Sequence, residues 1–268
     1  MSEIDVENYC KRGSAPECPV VIESYKLMWF LNPKAASTST RELLWKMSNP
    51  DLGAVKTQSI PYNKLYNLLT LADYPPYKAR SFLSSPHWTR VITLRDAKEK
   101  ILSAYLDKER RFWNDDNKQS YFSKACCNHE SVKHIKDCAN HKFTFTEFIN
   151  LSNICSRKNA HWNAQYDIVA DWDVINYVVN FKNLANGTRR LLKTRVNGEF
   201  AWKKFGAIGW GANGTSAIFE ENNRQKHSTL SKRQSLYNKY YTPELEKIVE
   251  ERFSKDYQLL HKYFPKYY

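Results

Sequence analysis

Glycine is scarce in this chain, with eight residues in 268, and none lies between Gly13 and Gly53. The pattern G-x-x-x-x-G-K-[ST] is absent, which excludes a Walker-type phosphate loop. Long apolar runs are missing too. The best, Leu27 to Leu31, is far short of the ~20 residues that a membrane-spanning helix needs. Met1 to Asn8 are acidic rather than basic and then apolar, so no signal peptide is visible. No RNA- or DNA-binding signature occurs, and the lysines and arginines are scattered rather than clustered. There is no internal repeat and no low-complexity tract. What remains is 42% hydrophobic and 14% aromatic, which excludes general disorder. The net charge is +13, a field that attracts polyanions such as acidic glycans, anionic nucleotides, nucleic acid or a membrane surface. Without a nucleic-acid signature, glycan ranks above nucleic acid.

The richest segment is Tyr25 to Trp45. Tyr25 to Leu31 is apolar and aromatic, as a buried strand should be. Asn32-Pro33 ends it, and a helix pattern with Leu43, Leu44 and Met47 on one face follows. Between them lie Lys34, Ala35, Ala36 and four consecutive hydroxyls, Ser37, Thr38, Ser39 and Thr40. Backbone N–H groups at a helix start attract an anion, and small side chains let it come close. Lys34 adds a point charge. The plainer alternative is an ordinary helix start, in which Ser39-x-x-Glu42 forms a capping box.

A second segment repeats the arrangement. Val91 to Leu94 reads as a strand, Arg95-Asp96 as a charged turn, and Lys98 to Arg111 as a helix. Arg95 stands at the strand's carboxyl end, and Ser103 faces back from the helix eight residues on. An arginine and a hydroxyl at the carboxyl edge of a parallel sheet suit a second phosphate. The alternative is a surface Arg95–Asp96 turn with a buried Ser103.

Together these segments resemble the sulfotransferases that use 3′-phosphoadenosine 5′-phosphosulfate, most of all the Golgi carbohydrate branch. That branch includes the chondroitin, dermatan, HNK-1 and uronyl 2-O enzymes. Its P-K-x-A-[SC]-T loop, which holds the 5′-phosphosulfate, is matched by Pro33 to Thr38. Its R-D-P-x-x-R-x-x-S-x-Y segment, which holds the 3′-phosphate, is matched at Arg95, Asp96, Ser103 and Tyr105. Ala97 replaces the proline, which loosens the turn, and Lys100 replaces the second arginine and keeps its charge. His161 to Tyr166 resembles the family's H-W-x-P-Q-Y, again without the proline. Asp173 to Lys193, and Tyr240 to Tyr257, resemble its later strand–helix and its closing helix.

The resemblance implies an α/β, P-loop-like parallel sheet flanked by helices, a single domain with a Cys/His-containing insertion at 112–142. Residues 1–22 read as an irregular arm, and 23–268 as the sulfotransferase domain. A short helix is expected near Asn63 to Leu71, further helices over Phe143–Leu151 and Leu184–Lys193, a strand over Val174–Phe181, and a glycine-rich loop over Gly198–Asn223. The clearest helix spans 242–263. Thr242 caps it, and Leu245, Ile248, Val249, Phe253 and Tyr257 make its apolar stripe.

Six cysteines, Cys10, Cys18, Cys126, Cys127, Cys138 and Cys155, make an even count. With N-x-[ST] sequons at Asn150, Asn186 and Asn213, they lean towards an oxidising lumen. Cys127, His129, Cys138 and His141 are the right types for zinc, but their spacing fits no standard finger, and disulfides are favoured. No catalytic metal is expected. The family's members usually carry an N-terminal membrane anchor; here the expected place is the Golgi lumen or membrane, or the cytoplasm if the chain is soluble.

The reaction implied is transfer of a sulfuryl group to a carbohydrate hydroxyl, with an acidic glycan as acceptor and no nucleic-acid partner. Lys34 would offset charge on the leaving oxygen, and the loop through Ser39, with Arg95 and Ser103, would hold the donor. His161 is the first candidate for the general base, with His87 and His227 behind it. The alternatives are a nucleotide or sugar kinase, disfavoured by the missing Walker glycines and the lack of a magnesium carboxylate near the loop, and a non-catalytic basic glycan-binding protein.

Overall fold

A computed structural model describes residues 5–10, 18–49, 68–114, 119–127, 129–155, 159–196 and 237–268. His227, the Asn213 sequon, the expected loop over 198–223 and residues 63–67 of the helix expected near 63–71 lie outside these residues; 68–70 are not helical, Thr70 forming an isolated bridge with Val20, and Leu71 begins a 3-10 turn. The chain divides into two compact units, each visited twice. One is drawn from Met1–Leu94 and Ile168–Leu230, the other from Arg95–Asp167 and Ser231–Tyr268. Neither unit is contiguous along the sequence.

The first unit is built on a sheet of four strands in the order β1-β2-β3-β4, comprising β1 Val20–Ile22, β2 Leu27–Phe30, β3 Thr89–Leu94 and β4 Tyr177–Asn180. β2, β3 and β4 are parallel, with Phe30 opposite Ile92 and Leu94 opposite Asn180. Every residue of β2 and β3 is buried, which is why both read as continuous rather than alternating apolar runs. β1 is antiparallel to β2. The end of the expected arm is therefore an edge strand, and the sheet is mixed. Among the described residues, the helices of this unit are α1 Ser37–Ser48, α2 Pro76–Ser84 and α6 Leu184–Thr194. Leu43, Leu44 and Met47 of α1 are buried against Leu27, Trp29 and Val91 of the sheet, as their spacing predicts. α2 has a proline at its start, a favoured first helical position. Its carbonyl end is satisfied by Arg90 of β3, whose guanidinium donates to Phe82 and Ser85 and also to Val174.

The second unit is helical. It contains α3 Ala97–Lys108, α4 Tyr121–Cys126, α5 Phe145–Cys155, α7 Pro243–Arg252 and α8 Ser254–Tyr263. Tyr105, Phe122, Phe148 and Trp162 are buried at its centre, with Phe122 and Phe148 each 5.6 Å from the Trp162 ring, edge on. The expected single helix over 242–263 is broken at Phe253, whose φ of −105° and ψ of 26° leave the helical path. The break changes which face is buried. Ile248, expected in the apolar stripe, is exposed, whereas Asp256 is buried with Leu259 and Leu260.

All six cysteines are paired, as Cys10–Cys18, Cys126–Cys155 and Cys127–Cys138. The last pair occupies two of the four proposed zinc ligands, so that reading falls. Cys126–Cys155 ties α4 to α5. Disulfides of this number belong to an oxidising compartment. No helix among the described residues is long and apolar enough to cross a membrane.

Candidate functional site

In the first unit, the loop after β2 is fixed at its start by Asn32. This residue is buried, and its Nδ2 donates to the Thr93 carbonyl at 2.8 Å, near the carboxyl end of β3. The Ala35 N–H then donates back to the Asn32 carbonyl at 3.0 Å. Lys34 and Ala36 take positive φ, 67° and 64°. Neither is glycine, and the left-handed region costs an ordinary residue roughly 1–2 kcal/mol. Such strain is kept where the backbone has a task, and left-handed residues at alternate positions are a feature of backbone concavities that face anions.

Ala36 is the N-cap of α1, and it has no side-chain oxygen to give to the helix. Its carbonyl accepts the Thr40 N–H at 2.9 Å. The N–H groups of Ser37, Thr38 and Ser39 have no carbonyl one turn back within the helix. The alternative reading, a Ser39–Glu42 capping box, does not apply, because Ser39 is the third residue of the helix rather than its cap. Ala35, Ala36, Ser39 and Thr40 are buried, Lys34 and Ser37 half-buried, and Thr38 exposed. The loop thus combines small buried side chains, a lysine and a run of hydroxyls at an open helix start. This set suits a phosphate or a phosphosulfate.

His87 lies in the same unit, exposed, just before β3. It stands at the amino edge of the sheet, whereas Lys34 follows the carboxyl end of β2, and β2 and β3 are parallel. The length of β3 alone separates the two edges. A cavity of about 420 Å³ also lies away from the loop, lined by Glu23, Trp45, Asn49, Leu69 and Tyr74 around the carboxyl end of α1. The loop, which has the suitable chemistry, is the better candidate of the two.

In the second unit, Arg95 and Asp96 lead into α3. Asp96 is the N-cap, its Oδ1 accepting the Glu99 N–H at 3.1 Å. Ala97 occupies the first helical position, where alanine, the best helix former, replaces proline without losing the turn. The Arg95 side chain is 11% exposed, with Nε 3.5 Å from Glu99 Oε2. Ser103, half-buried, follows Glu99 on the same face of α3. Lys100 is not a surface charge. It is buried, donates to the Ala160 and Asn163 carbonyls, and burial pushes its pKa down to about 8.

His161 lies between those two carbonyls. Asn159 Oδ1 accepts the His161 backbone N–H at 3.0 Å and faces ring Nδ1 at 2.9 Å. The backbone N–H identifies that atom as the amide oxygen, which only accepts, so Nδ1 donates to it and Nε2 is the nitrogen without that proton. Gln165 is buried and bonds the Arg95 backbone at both its N–H and its carbonyl. Asp256 accepts from the backbone N–H groups of Gln165 and Tyr166. Sequence reasoning singled out neither Asp256 nor the role of Lys100. The available signal was a charge on an apolar stripe: Asp256 continues the 245, 249, 253 spacing, and Lys100 lies among Ala97, Ile101, Ala104 and Tyr105.

These features define an α/β protein with an anion-suited loop between its second strand and first helix. Residues 19–263 match the model of the sulfotransferase family, and the chain belongs to that family. Its members transfer a sulfuryl group to an acceptor. No curated protein and no solved structure matches the chain.

Proposed function

We propose that the chain transfers the sulfuryl group of 3′-phosphoadenosine 5′-phosphosulfate to a hydroxyl of a carbohydrate, and that the acceptor is an acidic glycan of the secretory pathway. The observation that carries this reading is the loop of Lys34 to Ser39. Its left-handed backbone and open helix start fit the 5′-phosphosulfate, and its residues follow the pattern of the Golgi carbohydrate enzymes. Ala35, Ala36, Ser37, Thr38 and Ser39 would give backbone and hydroxyl donors. Arg95 and Ser103, which match the second motif, would take the 3′-phosphate. The net charge of +13 supports an anionic acceptor. The three disulfides and the exposed sequon residues Asn150 and Asn186 support a lumenal setting.

In the reaction the acceptor oxygen forms a bond to sulfur while the bond from sulfur to the bridging phosphate oxygen breaks. The electron pair stays on that phosphate oxygen, and Lys34 offsets its charge. The acceptor's proton goes to a base, for which His161 Nε2 is the proposed group. Incubation with donor labelled in its sulfuryl group and a panel of desulfated glycans tests the reading. Label is expected in an acidic glycan, and a chain that labels only non-carbohydrate acceptors would refute the acceptor class.

A further inference from the structure

Arg95 is the first residue past the β3 ladder, whose last paired residue is Leu94. Its peptide groups are bonded by the side chain of Gln165. Gln165 Oε1 accepts the Arg95 N–H at 2.9 Å, and Gln165 Nε2 donates to the Arg95 carbonyl at 2.6 Å. A primary amide carries an acceptor and a donor side by side, so one side chain fixes both peptide planes that flank the Arg95 Cα. Gln165 is itself fixed from behind. Asp256, only 1% exposed, accepts from the Gln165 N–H at 2.9 Å, the Tyr166 N–H at 2.8 Å and Gln165 Nε2 at 3.3 Å. Lys100 and Arg252 hold the preceding carbonyls of residues 160, 162 and 163. The mechanism above uses none of these buried polar groups.

We propose that Gln165, backed by Asp256, is a positioning residue for recognition of the donor's 3′-phosphate: it fixes the backbone of Arg95 and thereby aims the guanidinium. The proposal rests on the reading that Arg95 binds that phosphate. Recognition of a phosphate by a guanidinium depends on the direction of its planar fork. A backbone able to turn at Arg95 would keep the charge and lose the aim.

The test compares dissociation constants for 3′-phosphoadenosine 5′-phosphate and for adenosine 5′-phosphosulfate, which lacks the 3′-phosphate, on the full chain. A protonated carboxyl has a donor and an acceptor, as an amide does, whereas an ionised one only accepts. The Asp256 carboxylate beside it favours the protonated form of a carboxyl introduced by Gln165→Glu. This variant should therefore bind the 3′-phosphate nucleotide within about threefold of wild type at low pH, and about tenfold more weakly than wild type at high pH. Its affinity for adenosine 5′-phosphosulfate should stay level throughout. Gln165→Leu should show the selective loss at every pH, and adding it to Arg95→Ala should cost nothing further. If Gln165→Leu fails to fold, the pH series of Gln165→Glu still decides. A selective loss in Arg95→Ala, with losses in Gln165→Glu that are absent or equal for both nucleotides, overturns the proposal and leaves the Arg95 reading intact. Equal losses in Arg95→Ala overturn that reading, and the proposal with it.

Discussion

Lys34 holds a left-handed backbone, φ 67°, that favours glycine over lysine. If its side chain were dispensable, glycine would be the cheaper residue there. Lys34→Gly should accordingly melt no lower than wild type. It should nevertheless turn over more slowly by about 10²–10³-fold, the usual effect of removing one group that stabilises transition-state charge. Thermal melts and turnover of the purified variant check both halves, and a folded Lys34→Gly with near-normal turnover would remove Lys34 from the chemistry. His161 makes a separate prediction. With Nδ1 directed at Asn159, loss of the ring should abolish turnover, leave nucleotide affinity unchanged, and remove the limb of the pH–rate profile that reports the base. The buried Trp162 beside it supports the segment without the imidazole. A His161→Ala protein that melts early and loses nucleotide affinity in proportion would make the residue structural instead.

At the scale of elements, the insertion is organised around one buried carboxyl, Glu109. Its Oε1 accepts from Trp113 Nε1 at 3.1 Å and from the Phe143 N–H at 3.0 Å, and its Oε2 takes the Ser120 hydroxyl. Burial pushes the Glu109 pKa above its ordinary 4.5, although these hydrogen bonds and His141 oppose the shift. A raised carboxyl means that the folded chain keeps a proton that the unfolded chain has released. The contribution is therefore full below about pH 4.5 and is lost as pH rises through the folded value. Glu109→Gln keeps an acceptor for both N–H groups and does not titrate. Its melting temperature relative to wild type should climb with pH from about 4.5 upwards; a constant difference across that range would contradict the assignment. Glu109→Ala removes the acceptor of the buried Phe143 N–H and of the half-buried Trp113 Nε1–H and should cost about 3 kcal/mol. Such knots were hard to read in the sequence. The strands β2 and β3 and the helices α1, α3, α5 and α6 were legible because hydrophobic period is a local property. β1 was not, being three residues inside an irregular arm, and nor was the break at Phe253. The partners of the buried charges were hidden for a different reason: Asp256 and Gln165 are 91 residues apart, and period does not name a distant partner.

At the scale of the whole molecule, the proposed donor is an anionic nucleotide, a reading supported by the phosphate-suited loop and the cationic field. Within the first unit the Lys34 loop leaves the sheet at the carboxyl end of β2, the edge at which parallel sheets hold ligands. The strand–loop–helix order around each motif was legible in the sequence, because each motif lies within a dozen residues of its strand. The division into two units was not, since the chain enters each unit twice. Calorimetric titration of the full chain with 3′-phosphoadenosine 5′-phosphate, beside ATP with magnesium, tests the donor most directly. The account predicts a single site for the 3′-phosphate nucleotide with a dissociation constant of about micromolar order, or about −8 kcal/mol, independent of magnesium. Tight binding of magnesium–ATP with no response to 3′-phosphoadenosine 5′-phosphate would contradict it.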